Sequence, residues 1–101
     1  MEYRNLGSSG LRVSLVGLGC NNFGMRLELE QTRAVVDRAF DLGITFFDTA
    51  DMYGGRGGSE TQLGKILGHR RKDIVLASKF GMAMSDDGTK IGASRRYIMS
   101  A

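Results

Sequence analysis

Gly43-Ile44-Thr45-Phe46-Phe47-Asp48-Thr49-Ala50-Asp51-Met52-Tyr53-Gly54 is the stretch on which the fold turns. Its first half is a short apolar run, Ile44 through Phe47, rich in β-branched and aromatic residues and closed by Asp48. A strand buried on both faces looks like this. Its second half is polar and ends in glycine, the composition of a loop. Upstream, Val35, Val36, Ala39, Phe40 and Leu42 recur at helical spacing, which predicts a helix over 29–42. Gly43 follows where a helix C-terminus favours a residue with positive φ.

Outward from this stretch the alternation repeats. Leu15-Val16-Gly17-Leu18 reads as a short buried strand before the helix. After the loop, Ser59 and Gln62 stand three apart in a capping-box pattern, and Leu63, Ile66 and Leu67 give a second helix its apolar stripe. Ile74-Val75-Leu76-Ala77 is a third strand, ending at Ser78-Lys79. Residues 3–6 and 11–14 flank Gly7-Ser8-Ser9-Gly10 as a hairpin. Ser94 caps a third helix beginning Arg95-Arg96-Tyr97-Ile98-Met99. The order hairpin, β, α, β, α, β predicts an α/β fold on a parallel sheet.

The chain has 101 residues, enough for one domain and too few for two. Its net charge of +3 raises a nucleic-acid reading, but the basic residues are scattered. The one run, His69-Arg70-Arg71-Lys72, comes after an apolar helical pattern, where cations suit the helix C-terminus. A solvated helix end is the better account, and no nucleic-acid partner is expected. No apolar window approaches the roughly 20 residues of a membrane span. A single cysteine, Cys20, excludes an internal disulfide and a multi-cysteine metal site. A cytoplasmic location is the expectation.

Function in such a sheet gathers at the C-terminal ends of the strands. That rule selects Gly19-Cys20-Asn21, the segment Asp48 to Gly58, and Lys79-Phe80-Gly81. If the second and third strands are neighbours, Asp48 and Lys79 project side by side into one pocket, where each offsets the other's charge. Tyr53 lies in the loop between them. A tyrosine titrates near 10 in water, and a nearby ammonium favours the phenolate. Such a residue serves as a general acid near neutral pH. An acid beside an apolar pocket suits carbonyl reduction. No side chain donates hydride, so the chemistry requires a nicotinamide cofactor.

Other readings are weaker. Gly17-Leu18-Gly19-Cys20-Asn21-Asn22 begins like a dinucleotide fingerprint, but Asn22 stands at the last glycine and no helix comes at once after it. Gly64-Lys65-Ile66 lacks the hydroxyl of a P-loop. Asp48 with Asp51 offers few ligands for a metal, and Lys79 competes for Asp48. His69 reads as a surface residue. Cys20 reads as a small buried side chain rather than a reactive thiol.

The segment Phe47 to Gly54 resembles the aldo-keto reductase signature around its Asp and Tyr. Ser59-Glu60 through Leu63-Gly64 resembles the family's next segment, and Ser78-Lys79-Phe80 the one with the catalytic Lys. Arg4-Asn5-Leu6-Gly7, Ser9-Gly10-Leu11 and Val16-Gly17-Leu18-Gly19 resemble the family's opening hairpin and first strand. The resemblance implies that residues 1–101 are the N-terminal portion of one (β/α)₈ TIM-barrel domain, incomplete at the C-terminus. It implies that Asp48, Tyr53 and Lys79 are catalytic, with a His lying beyond Ala101 as fourth member. Gly19, Cys20, Asn21 and Asp48 are then beside the cofactor, with Arg26 a weaker candidate for its phosphates. The cofactor implied is NADP, with NAD not excluded, and the substrate a small carbonyl compound. Related readings are a regulatory potassium-channel β-subunit-like protein, or a catalytically inactive fragment. Closure then needs the remainder of the barrel or self-association.

Overall fold

The computed structural model describes residues 1–101. Its elements are β1 (Tyr3–Asn5), β2 (Arg12–Ser14), β3 (Gly17–Gly19), α1 (Leu29–Asp41), β4 (Phe46–Asp48), α2 (Tyr53–Arg56), α3 (Gly58–Leu67), a 3₁₀ turn (Gly68–Asp73), β5 (Val75–Ala77) and α4 (Arg95–Ser100). β1 and β2 form an antiparallel hairpin. β3, β4 and β5 form a separate parallel sheet in that order. The register aligns Gly17 with Phe46 and Val75, and Gly19 with Asp48 and Ala77. This is the predicted α/β succession, with three adjacent parallel strands and no closed barrel within the chain.

The period of two along β4 separates two environments. Phe47 is fully buried and packs on Phe40 of α1, with ring centroids 6.0 Å apart. It joins Cys20, Phe23, Val36, Ala39, Leu63, Ile66, Leu67 and Ile74 in one core beneath α1 and α3. Phe46 and Asp48 face the other way, half-buried, together with their register partners Val75 and Ala77. Two outer grooves are apolar as well, one lined by Leu18, Val35, Ala39, Leu42 and Ile44, the other by Leu63, Leu67 and Leu76.

Several local expectations are corrected. Leu15 and Val16 are exposed, and the first parallel strand starts only at Gly17. The reason is that Leu15 N–H donates to Glu2 O at 2.7 Å, so the chain is still held by the hairpin there. β4 begins at Phe46 because Ile44 N–H closes α1 on Ala39 O and Thr45 N–H donates to Ser14 Oγ at 3.0 Å. Ser14 and the bond from Tyr3 Oη to Gly43 O (2.8 Å) lock the hairpin across the N-terminal end of the sheet. Leu42 lies past the end of α1 and is exposed. Thr32 completes the buried face instead.

Ser59 and Gln62 form no capping box. α3 begins two residues earlier than that cap implies, at Gly58, so Ser59 lies inside the helix and is buried. Its hydroxyl donates to Cys20 O at 2.9 Å and lies 2.8 Å from Thr49 Oγ1. Gln62 accepts from Thr32 Oγ1 at 2.6 Å and donates to Leu27 O, joining α3 to α1. Both residues are thus used for tertiary contacts, which outrank the local pattern. At α1 the equivalent device is real: Glu28 N–H donates to Gln31 Oε1 at 2.9 Å. The basic run ends α3 as expected. Arg70 bonds Ile66 O, pairs with Asp37 at 2.8 Å and covers the Phe40 ring.

Candidate active site

At the C-terminal ends of β4 and β5 the backbone pairing runs on past the strands. Cys20 N–H donates to Asp48 O, Thr49 N–H to Ala77 O and Asp51 N–H to Lys79 O. This extension is what sets the side chains of Asp48 and Lys79 side by side. The Lys79 ammonium lies 2.9 and 2.8 Å from the two Asp48 carboxylate oxygens, 3.0 Å from Thr49 O and 3.4 Å from Tyr53 Oη. Its three N–H bonds are therefore shared among four oxygens. The nitrogen stands 5.0 Å from the centre of the Tyr53 ring.

The Asp48–Lys79 pair is half-exposed. The ion pair itself stabilises the fold by little at such a site. It does hold the proton on Lys79: the bond to Asp48 is the largest cause raising that ammonium above its ordinary 10.5, opposed by partial desolvation and assisted by Tyr53. Lys79 is thus a permanent cation beside the Tyr53 hydroxyl across the physiological range.

Tyr53 opens α2, a single turn whose backbone is left-handed at Gly54 (φ 76°) and Gly55 (φ 74°). Arg56 carries a positive φ of 62°, an uncommon conformation for a residue with a side chain. Its guanidinium pairs with Asp86 at 2.8 Å, tying the turn to the loop after β5. On its other side the turn packs backbone to backbone against Phe23 and Gly24. Within the glycine-rich segment 54–58, Gly54 and Gly58 are packed against these residues, whereas Gly55 and Gly57 border open space.

Gly19 is in register with Asp48, and the space beside it is open. A methyl group there would touch nothing nearer than Asn21 Oδ1, at 3.9 Å. Asn21 is exposed. Cys20 turns its side chain into the core, leaving only its backbone to the strand ends. Burial, the dominant cause, pushes its thiol up to about 12. His69 is exposed on the 3₁₀ turn leading into β5, at the far end of the sheet. Arg26 is exposed, with no side-chain hydrogen bond or ion pair. Asp51 is held by Tyr97 Oη at 2.8 Å, so the two carboxylates of the loop have different partners. Sequence reasoning gave no role to Thr49 O, Arg56, Asp86 or Tyr97. Only the Ser94 cap hinted that an ordered helix sits there.

A model of the Aldo/keto reductase family matches residues 15–101. The chain is 41% identical over its whole length to "Uncharacterized oxidoreductase YqkF" of Bacillus subtilis and 39% identical to "L-glyceraldehyde 3-phosphate reductase" of Escherichia coli. It spans 33% and 31% of those proteins' lengths. A rice protein, "Probable voltage-gated potassium channel subunit beta", is 37% identical over 98% of the chain and 31% of its own length. Among solved structures, the holo form of aldo-keto reductase AKR11C1 from Bacillus halodurans superposes with a TM-score of 0.85 and 37% identity, over 99% of this chain and 33% of that one.

Proposed function

This chain belongs to the aldo/keto reductase family, and from that premise we propose that it carries the acid–base apparatus of an NAD(P)H-dependent reductase of small aldehydes or ketones. The observation that carries the reading is the Lys79 ammonium, held between the Asp48 carboxylate and the Tyr53 hydroxyl. A nicotinamide cofactor, when bound, supplies hydride to the carbonyl carbon. Tyr53 gives its proton to the carbonyl oxygen and takes it back in the reverse oxidation. Lys79 faces the oxygen that is left negative when the proton departs, and Asp48 keeps Lys79 charged and aimed.

A flat ring would fit beside the open backbone of Gly19, with Asn21 available for polar contact and Cys20 contributing its backbone. The cofactor assigned is NADPH, with NADH as the alternative to be titrated beside it. Residues 1–101 are read as one part of a single barrel domain. Its open sheet edges and outer apolar grooves call for further β/α units or a second copy to cover them. No helix is long and apolar enough to cross a membrane, and a cytoplasmic location without a nucleic-acid or membrane partner belongs to the same reading. The likeness to the rice protein supports a second reading as a channel-associated subunit, which the same site would accompany.

The test is Tyr53→Phe in the intact protein. Removing the proton donor alone should lower kcat by about 100-fold or more while cofactor binding, followed by fluorescence, stays nearly unchanged. A kcat within about tenfold of wild type, less than about 1.4 kcal/mol of barrier, would overturn the assignment.

A further inference from the structure

Behind the Lys79 ammonium lies a second polar contact that the reaction does not use. Tyr97, from α4, is 3% exposed and Asp51, from the loop after β4, is 7% exposed. Tyr97 Oη donates to Asp51 Oδ2 at 2.8 Å. Burial first, and the bond to Asp51 second, raise the Tyr97 hydroxyl above its ordinary 10, so it remains a donor. A buried carboxylate with one short partner is costly to leave unpaired, so the contact fixes both groups firmly.

The attachments of Asp51 give this contact its consequence. Its backbone N–H donates to Lys79 O at 3.1 Å, the last rung joining the β4 loop to the end of β5. Two residues before it, Thr49 O receives the Lys79 ammonium, and two residues after it stands Tyr53. Tyr53 N–H in turn bonds Ala50 O. Asp51 is therefore the midpoint of the short span that sets the distance from Tyr53 to Lys79. Tyr97 is the group that grips it from outside the sheet. Phe80, next to Lys79, packs its ring edge-on against Tyr97 at 6.5 Å, so the same side chain touches both sides of the rung.

We propose that Tyr97 and Asp51 are positioning residues, a buried brace that holds Tyr53 and Lys79 at reacting distance. The proposal rests on the reductase reading above. Displacement of a proton donor by about 1 Å is enough to cost on the order of 100-fold in rate. The brace acts through the carboxylate's capacity to accept a hydrogen bond, so Asp51→Asn, which keeps an acceptor for Tyr97 Oη, should preserve it.

The experiment compares Tyr97→Phe, Asp51→Ala, Asp51→Asn and the double variant Tyr97→Phe/Asp51→Ala in the intact protein, with Tyr53→Phe alongside. Tyr97→Phe and Asp51→Ala should each lower kcat by about tenfold or more, with cofactor Kd changed less than about twofold. The double variant should be no worse than the poorer single one, and Asp51→Asn should stay within about threefold of wild type. A crystal structure of Tyr97→Phe should show the Lys79 Nζ–Tyr53 Oη separation grown beyond 3.4 Å. A kcat within twofold for Tyr97→Phe overturns the proposal, as does Asp51→Asn as damaging as Asp51→Ala, or additive losses. Tyr97→Phe deletes a single oxygen and decides the matter if Asp51→Ala does not fold. Inactive Tyr53→Phe with active Tyr97→Phe removes the brace alone. Active Tyr53→Phe removes the reductase reading and the brace with it.

Discussion

Gly24 and Gly55 share a backbone conformation and differ in their surroundings, which allows steric crowding to be separated from backbone strain. Gly24 has φ 78° and Gly55 φ 74°. A Cβ at Gly24 would lie 2.6 Å from the carbonyl carbon of Gly58, 2.8 Å from its Cα and 2.9 Å from its oxygen, whereas one at Gly55 meets nothing within 4 Å. Adding a methyl to either residue costs about 1–2 kcal/mol for a left-handed L-residue. At Gly24 the methyl is also nearly 1 Å inside the ordinary separation of about 3.5 Å. Every atom it meets there is backbone, so no side chain can rotate away and the start of α3 must move. Overpacking of that kind costs about 1–3 kcal/mol more. Gly24→Ala should therefore destabilise by about 2–5 kcal/mol and Gly55→Ala by about 1–2 kcal/mol. Urea unfolding followed by circular dichroism measures both. The shift at Gly58 should also strain the neighbouring bond from Ser59 to Cys20 O, lowering kcat in Gly24→Ala more than in Gly55→Ala. Equal losses of stability for the two variants would refute the claim that the loop after β3 and the start of α3 are packed backbone to backbone.

Cys20, fully buried with its thiol raised to about 12, should not react with a thiol reagent at pH 8 until the protein unfolds; rapid labelling of the native state would contradict its placement. For Lys79 the folded pKa is raised, so the stability it gains from Asp48 is fully present below 10.5 and is lost as pH climbs through the higher folded value. The stability difference between wild type and Asp48→Asn should hold steady from about pH 7 to 9.5, at under about 1 kcal/mol because the pair is half-exposed, then shrink above 10.5. A difference that has vanished by pH 9 would count against the pairing. His69→Ala should change stability by less than about 0.5 kcal/mol and leave kcat unchanged, as suits an exposed residue at the far end of the sheet; a large fall in kcat in steady-state assays would show it misplaced.

The candidate site was legible where its determinants are local. Asp48 ends a strand and Lys79 comes just after one, and both facts derive from apolar runs with a fixed period. Parallel neighbours lie about 4.8 Å apart, so two strand-end residues meet without knowledge of any loop. Strand starts were less legible. Leu15, Val16 and Ile44 are as apolar as the residues after them. A competing bond from a distant segment excludes them from the sheet: Glu2 O for Leu15, and Ser14 Oγ for the residue after Ile44. The capping pattern at Ser59 and Gln62 failed for the same reason. A hydroxyl and an amide can each serve a helix end or a neighbouring element, and here Cys20 O and Thr32 Oγ1 outcompeted the local choice.

Tyr97 and Arg56 mark where local reasoning stops altogether. Tyr97 sits eighteen residues after Lys79, beyond a loop with no periodic pattern, and its spacing announces only a short helix. That its hydroxyl ends on Asp51 depends on how that loop folds back. The return is set by Gly92 N–H on Gly81 O, Met84 N–H on Lys90 O and the Arg56–Asp86 pair. The left-handed run from Gly54 to Gly57 is a partial exception, since three glycines in four residues signal a backbone freed from ordinary limits. Arg56 within that run is the informative residue. Its positive φ costs on the order of 1–2 kcal/mol; the exposed pair with Asp86 offsets little of that, and the packing of the neighbouring Gly54 against the backbones of Phe23 and Gly24 fixes the course of the turn. The strain thus lies in the turn that opens with Tyr53, packed on one side against Phe23 and Gly24, while Tyr97 grips the span that leads into it. Asp48 and Lys79 were readable because the sheet carries them, and Tyr53 because it stands only five residues beyond Asp48. The contacts that fix their separation belong to the connections, whose course is decided by the assembled fold.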